Sequence, residues 1–242
     1  MASDNPTKVV VARAPLCLGS RRWPAPAPSD LTSLSPTAQQ GLADLIPVLL
    51  CGEESAEHVF RSAASEQAST SLDPTVQAGL CSIAGDEHRH GDLLLALRKR
   101  LPCTRDPSAV KRSARFLKSL SNTDLGTHLL RVSALDAGVC MVLAAVTAPG
   151  TAIAGAREIC ELFLKIRRDE GRHVRLSRNY ASVLGADMTR ERAERQEVMR
   201  GFCALLADSS QAFIQLDVDP RRLLLRLARF GDGVSTGRRH IG

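Results

Sequence analysis

Asp86-Glu87-His88-Arg89-His90 and Asp169-Glu170-Gly171-Arg172-His173 decide how this chain is read, because both spell Asp-Glu-x-x-His. Residues three apart share one face of an α-helix, so Glu87 faces the same way as His90, and Glu170 the same way as His173. Working outward, Glu53 and Asp86 have 32 residues between them (54–85), and Asp136 and Asp169 also have 32 (137–168). An acid, a fixed spacer and Asp-Glu-x-x-His therefore occur twice, as in a duplicated hairpin. One such motif is a weak signal. Two, each with an acid at the same offset, are a strong joint one.

The flanking sequence predicts helices around both motifs. Ser35-Pro36 caps a helix from Thr37 to about Ser69, with Pro47 as a place for a kink or restart. Asp73-Pro74 opens a second, reaching about Leu101 before Pro102. Asp106-Pro107 opens a short basic helix to about Leu120. Asn122 or Thr123 caps a third long helix, which ends at Ala148 before Pro149-Gly150. Thr151 starts a fourth, running to about Leu184 before Gly185. Residues 188–216 read as one further helix, and Asp219-Pro220 opens a last short one. The expected fold is all-α: two helical hairpins joined by a long crossover over 102–122, plus extra C-terminal helices. That is the layout of ferritin-like four-helix bundles. Residues 1–34, with five prolines (6, 15, 24, 26 and 28), read as a flexible arm, 35–230 as the helical domain and 231–242 as a frayed tail.

Composition agrees. The 242 residues are 44% hydrophobic, 24% charged and only 3% aromatic, which suits helices and disfavours a sandwich or barrel. No uninterrupted apolar run reaches about 18 residues, so no membrane span is expected. The N-terminal stretch shows no secretory pattern, and the seven cysteines (17, 51, 81, 103, 140, 160 and 203) include no Cys-x-x-Cys. Both point to reduced thiols and a cytoplasmic protein. The net charge of +6 comes partly from Arg98-Lys99-Arg100, Lys111-Arg112, Lys118 and Arg221, Arg222, Arg226, Arg229. These read as solvated faces, and without interleaved aromatics they give no ground for nucleic-acid binding.

The acids on the other two helices complete a donor set. Asp136 lies in Leu129–Val146, where nearly every neighbour is apolar or small, and a lone acid there is costly unless it pairs or binds a cation. In the first helix Glu53, Glu54 and Glu57 compete. The stripe Leu42, Ile46, Leu49, Glu53, Ala56, Phe60 and Ala63 favours Glu53. Glu57, one turn on, is then a supporting carboxylate near the site or a surface acid. The predicted ligands are Glu53, Glu87, His90, Asp136, Glu170 and His173, with Glu87 and Glu170 bridging. Oxygen donors with imidazole suit iron or manganese, and four carboxylates balance two divalent ions. Asp86 and Asp169 are placed to hydrogen-bond the far nitrogen of the ligand histidine on the opposite hairpin. His58, His88 and His128 read as exposed or capping, with His58 also a candidate beside Glu57. Gly85, Gly91, Gly138 and Gly171 mark either close helix packing or room beside the metals. Phe60, Leu94, Val139, Leu143 and Ile166 would wall such a space.

Over about residues 36–184 this duplicated pattern resembles the di-iron carboxylate members of the ferritin-like superfamily, and most of all the aminoarene N-oxygenases. Phe60 stands seven residues after Glu53, as an aromatic does after the first ligand Glu of bacterioferritin and rubrerythrin. Two departures are visible: Asp136 replaces the usual Glu, and Ile166 stands where the N-oxygenases carry an extra histidine ligand. The resemblance implies a non-haem di-iron (or Mn/Fe) oxidoreductase. It would activate dioxygen with an external electron donor and hydroxylate, N-oxygenate or desaturate a small organic substrate. A homodimer is the default assembly. The alternative is a ferroxidase or peroxide scavenger with no organic substrate.

Overall fold

Four helices begin where the sequence supplies a cap. Ser35 Oγ accepts from Ala38 N at 3.1 Å, Asp73 from Thr75 N at 2.8 Å, Asp124 from Thr127 N at 2.9 Å and Asp219 from Arg221 N at 2.9 Å. The computed structural model describes residues 31–67, 73–121 and 124–233. Among them it holds nine α-helices and no strand: α1 (Pro36–Gln67), α2 (Pro74–Arg98), α3 (Ala109–Leu120), α4 (Leu125–Val146), α5 (Ala152–Gly155), α6 (Arg157–Val183), α7 (Glu191–Ala207), α8 (Ser210–Gln215) and α9 (Pro220–Gly231). The arm over 1–30 and the tail over 234–242 lie outside the described residues. Residues 31–34, placed in the arm by sequence, form a turn, and Leu34 is buried in the core.

Several boundaries differ from expectation. α1 runs through Pro47 as one helix. The cap of α4 is Asp124, not Asn122 or Thr123, because its carboxylate reaches the Thr127 amide. The predicted fourth helix breaks after one short turn at Ala156, where φ −96° and ψ 85° leave helical space. The predicted helix over 188–216 is three pieces: a 3₁₀ turn at Met188–Arg190, then α7 and α8. α4 is long and apolar enough to cross a membrane, with mean hydropathy 1.9, although no unbroken apolar run exists. It is a core helix instead, with 61% of that window buried. Its Arg131 Nε also bonds Glu194 Oε2 of α7 at 2.7 Å.

Two antiparallel pairs organise the molecule. Along α1 and α2, Gln40 Nε2 donates to Cys103 O just beyond α2 (3.0 Å), Glu53 meets His90 (3.1 Å), and Gln77 Nε2 donates to Ala64 O (3.3 Å), so one helix ascends as the other descends. Along α4 and α6, Ser133 Oγ donates to Val174 O (3.0 Å) and Cys140 Sγ to Arg167 O (3.5 Å). α2 touches α6, joining the pairs. α7 packs on α4 and α9, and the crossover helix α3 lies against α1 and α7. Arg112 Nε of α3 pairs with Asp208 Oδ2 at 2.8 Å and fastens α3 over the end of α7.

The core has two apolar clusters, one at each end of the paired helices. Leu42, Leu45, Ile46, Leu94, Leu97, Val142, Leu143, Phe163 and Ile166 belong to one. Phe60, Leu80, Ile83, Leu129, Leu130 and Tyr180 belong to the other. On each of α1, α2, α4 and α6, the predicted ligands fall between the two. A buried polar layer therefore lies between two apolar clusters.

Candidate metal centre

All six predicted ligands reach that layer and all are buried: Glu53 from α1, Glu87 and His90 from α2, Asp136 from α4, Glu170 and His173 from α6. The i, i+3 spacing does what helical geometry requires, projecting Glu and His from one face of each helix. Glu87 Oε1 lies 2.9 Å from His173 Nδ1, and Glu87 Oε2 lies 3.7 Å from His90 Nδ1. Glu170 repeats this, with Oε1 at 3.4 Å from His90 Nδ1 and Oε2 at 3.7 Å from His173 Nδ1. Each of these carboxylates thus turns one oxygen toward each histidine, and the imidazole centroids are 6.1 Å apart.

The flanking aspartates cross between the pairs. Asp86 Oδ2 is 3.3 Å from His173 Nε2, and Asp169 Oδ2 is 3.5 Å from His90 Nε2. Each therefore faces the nitrogen turned away from the centre, the position from which a carboxylate fixes a ligand's tautomer. Arg89 and Arg172, at matching places in the two motifs, both pair with Asp86.

These donors could hold a metal ion. Glu53, Glu87, His90 and Glu170 offer ligand atoms all within 4.8 Å of one another, and so do Asp136, Glu170 and His173. Hydrogen bonding leaves the layer incomplete among the described residues. Glu87 Oε1 and His173 Nδ1 are 2.9 Å apart yet not aligned as donor and acceptor, and both stay without a hydrogen-bond partner. Glu170 Oε1 and Asp136 Oδ2 are also buried without one. Orphaned acceptors at this depth are costly, and a cation satisfies several at once.

The electrostatics point the same way. Burial pushes the Glu53 and Asp136 carboxyls well above the carboxylate range; Glu87 reinforces this at Glu53, and Glu170 and Glu87 at Asp136. Burial acts on Glu87 too, but His173, together with hydrogen bonds to His90 and Glu53, outweighs it and holds that carboxyl low. Burial opposes charge on His90 and His173, yet Glu53 beside His90, and Glu170 with Glu87 beside His173, raise both well above the usual imidazole value. Without a cation, protons must balance the acids.

Comparison with protein-family models, with curated proteins and with solved structures finds no match to this chain. The case for the centre therefore stands on the geometry above.

Some expected members are elsewhere. Glu57 does not reach the centre: its carboxylate pairs with Arg61 and, at 3.1 Å, with His88 Nδ1 on the outer face of α1 and α2. One extra turn rotates it off the Glu53 stripe. His58 is exposed, and His128 is buried with Nδ1 against Leu120 O at 3.0 Å.

A cavity of about 80 Å³ abuts Glu53, Glu87, Asp136 and Glu170. Of its expected walls only Val139 lines it; Phe60, Leu94, Leu143 and Ile166 are spent in the two apolar clusters. The missing walls come from Phe116 and Leu117 of α3 and Phe202 and Leu205 of α7. In the sequence α3 stood out for its basic residues, and α7 was only part of the helix expected over 188–216. The apolar face of α3, with Ala109, Ser113, Phe116, Leu117 and Leu120, was the available signal.

Proposed function

We propose that this chain is a ferritin-like four-helix bundle whose centre holds two iron ions. In this reading it works as a non-haem di-iron oxidoreductase that oxidises a small organic molecule with dioxygen and an external electron donor. The observation that carries the reading is the doubled geometry of Glu87 and Glu170, each aiming one oxygen at each histidine. Glu53 and His90 would complete one position, Asp136 and His173 the other. Iron held there supplies the redox chemistry that activates dioxygen. Manganese suits the same donors, so a Mn/Fe pair fits as well.

The chain's own residues set the conditions. Asp86 and Asp169 fix which nitrogen of each histidine faces inward. The apolar clusters bound the layer at both ends. The cavity beside Asp136 holds a substrate against the open side of the centre, walled by Val139, Leu117 and Phe202. That cavity favours an organic substrate over the alternative of a ferroxidase or peroxide scavenger, which has no use for it.

The test is a single turnover. The anaerobic protein is loaded with Fe(II), mixed with small aromatic amines and alcohols, and exposed to ¹⁸O₂. The reading expects product changed at the added molecule, either carrying ¹⁸O or desaturated. Conversion of all iron to ferric product with every added molecule unchanged supports the ferroxidase instead.

A further inference from the structure

The cavity has polar groups that metal ligation does not use. Ser113 of α3 is 1% exposed and His128 of α4 is 7% exposed, and both line it. Neither is beside a predicted ligand in sequence. His128 Nδ1 lies 3.0 Å from the Leu120 carbonyl, which can only accept, so Nδ1 carries the proton and Nε2 a lone pair. Burial pulls this imidazole below its usual value, opposed by the Leu120 carbonyl and helped by the charge of Arg131. Nε2 is buried with no hydrogen-bond partner among the described residues, and so is Ser113 Oγ.

Position adds a second argument. A larger, wetter groove of about 640 Å³ runs along α1, α3 and the start of α4. It shares Ser55, Val59, Leu117 and His128 with the inner cavity, and adds His58 and Lys118. His128 therefore stands on the wall common to both. A molecule moving from the groove toward Asp136 passes His128.

We propose that His128 and Ser113 are the groups that recognise the substrate, and that they select an apolar small molecule carrying a hydroxyl or amine hydrogen-bond donor. This deepens the proposed function by naming the substrate class, and it rests on that reading for the chemistry that follows. The donor fits because His128 Nε2 can only accept, while the Ser113 hydroxyl can accept or donate. A ligand without a donor would leave a buried acceptor unpaired, which lowers affinity by roughly fivefold to hundredfold.

Phenol and toluene test this, since they share a ring and differ in the O–H. Each is titrated into the full chain, and shifts of the Val132, Val139 and Leu117 methyl signals give the two dissociation constants. The wild type is expected to favour phenol over toluene by about fivefold or more relative to His128→Leu. Ser113→Ala should lower that preference too, and serves if His128→Leu does not fold. His128→Gln, with a donor for the Leu120 carbonyl and an acceptor for the cavity, should keep it. The proposal is overturned if phenol leaves those methyls unmoved in the wild type. It is equally overturned if the preference survives in both His128→Leu and Ser113→Ala. The titration is run with and without Fe(II). A chain that binds no iron but prefers phenol sinks the oxidoreductase reading alone; a chain that binds iron without the preference sinks this one alone.

Discussion

In the α1–α2 pair Glu53 reaches His90 at 3.1 Å, whereas in the α4–α6 pair Asp136 Oδ2 finds no hydrogen-bond partner among the described residues. The two acids hold the same place in the repeat, and Asp136 is shorter by one methylene. The supporting aspartates each face one histidine of the opposite pair. Asp86 is gripped by Arg89 and Arg172 from two helices while it faces His173 Nε2. Asp169 faces His90 Nε2 at 3.5 Å. Both acids border the cavity, Glu53 from α1 and the shorter Asp136 from α4. The shorter side chain of Asp136 leaves more of the cavity open on the α4 side than a glutamate would.

The largest break in this comparison is predicted at the shared carboxylates. Glu87→Ala and Glu170→Ala each take a ligand from both positions, so iron content after anaerobic loading should fall from about two per chain to near none. Glu53→Ala and Asp136→Ala should each cost one position only, read by the same assay. Next come the supporting acids. Asp86→Asn and Asp169→Asn should weaken metal binding by about 10- to 100-fold in competition with a chelator. Asp86→Asn also removes the carboxylate with which Arg89 and Arg172 pair.

Asp136→Glu sharpens the contrast from the other side by restoring the missing methylene. It should retain iron while weakening phenol binding roughly tenfold, the scale of one methylene in a packed pocket. Gly138 and Gly171 then separate packing from free space. A Cβ at Gly138 would come within 2.9 Å of Met199 Cε and 3.0 Å of the Phe202 ring, so Gly138→Ala should cost about 1 to 3 kcal/mol in denaturant unfolding. A Cβ at Gly171 meets nothing within 4 Å, so Gly171→Ala should gain about 0.5 to 1 kcal/mol. The smallest effects belong to the caps opening α2 and α4. Asp73→Ala and Asp124→Ala should each lower stability by about 1 kcal/mol.

What could be read in the sequence follows from which signals are local. The Asp-Glu-x-x-His motifs and their equal spacers were legible because helical periodicity alone carries Glu87 with His90, and Glu170 with His173, onto one face of each helix. Asp136 was legible through its apolar surroundings and Glu53 through its stripe. Glu57 stayed open between a carboxylate near the site and a surface acid, because one turn along a helix does not say which neighbour will meet it; in the structure it meets His88 and Arg61. The break at Ala156 and the division of 188–216 carried no proline or strong cap to announce them. The cavity walls were the hardest part. Phe116 and Phe202 lie far apart in sequence, and only tertiary packing stacks them, with ring centroids 6.2 Å apart. Gly201 admits that approach, since a Cβ there would lie 2.7 Å from the Phe116 ring.

The central claim is that one buried layer holds two metal ions shared by Glu87 and Glu170. The most direct measurement is iron per chain after anaerobic Fe(II) loading and desalting, in wild type, Glu87→Ala and Glu170→Ala, with folding checked by circular dichroism. The account predicts about two irons in the wild type and almost none in either variant at unchanged helicity. A wild type that retains no iron, or variants that retain as much as it does, would contradict it.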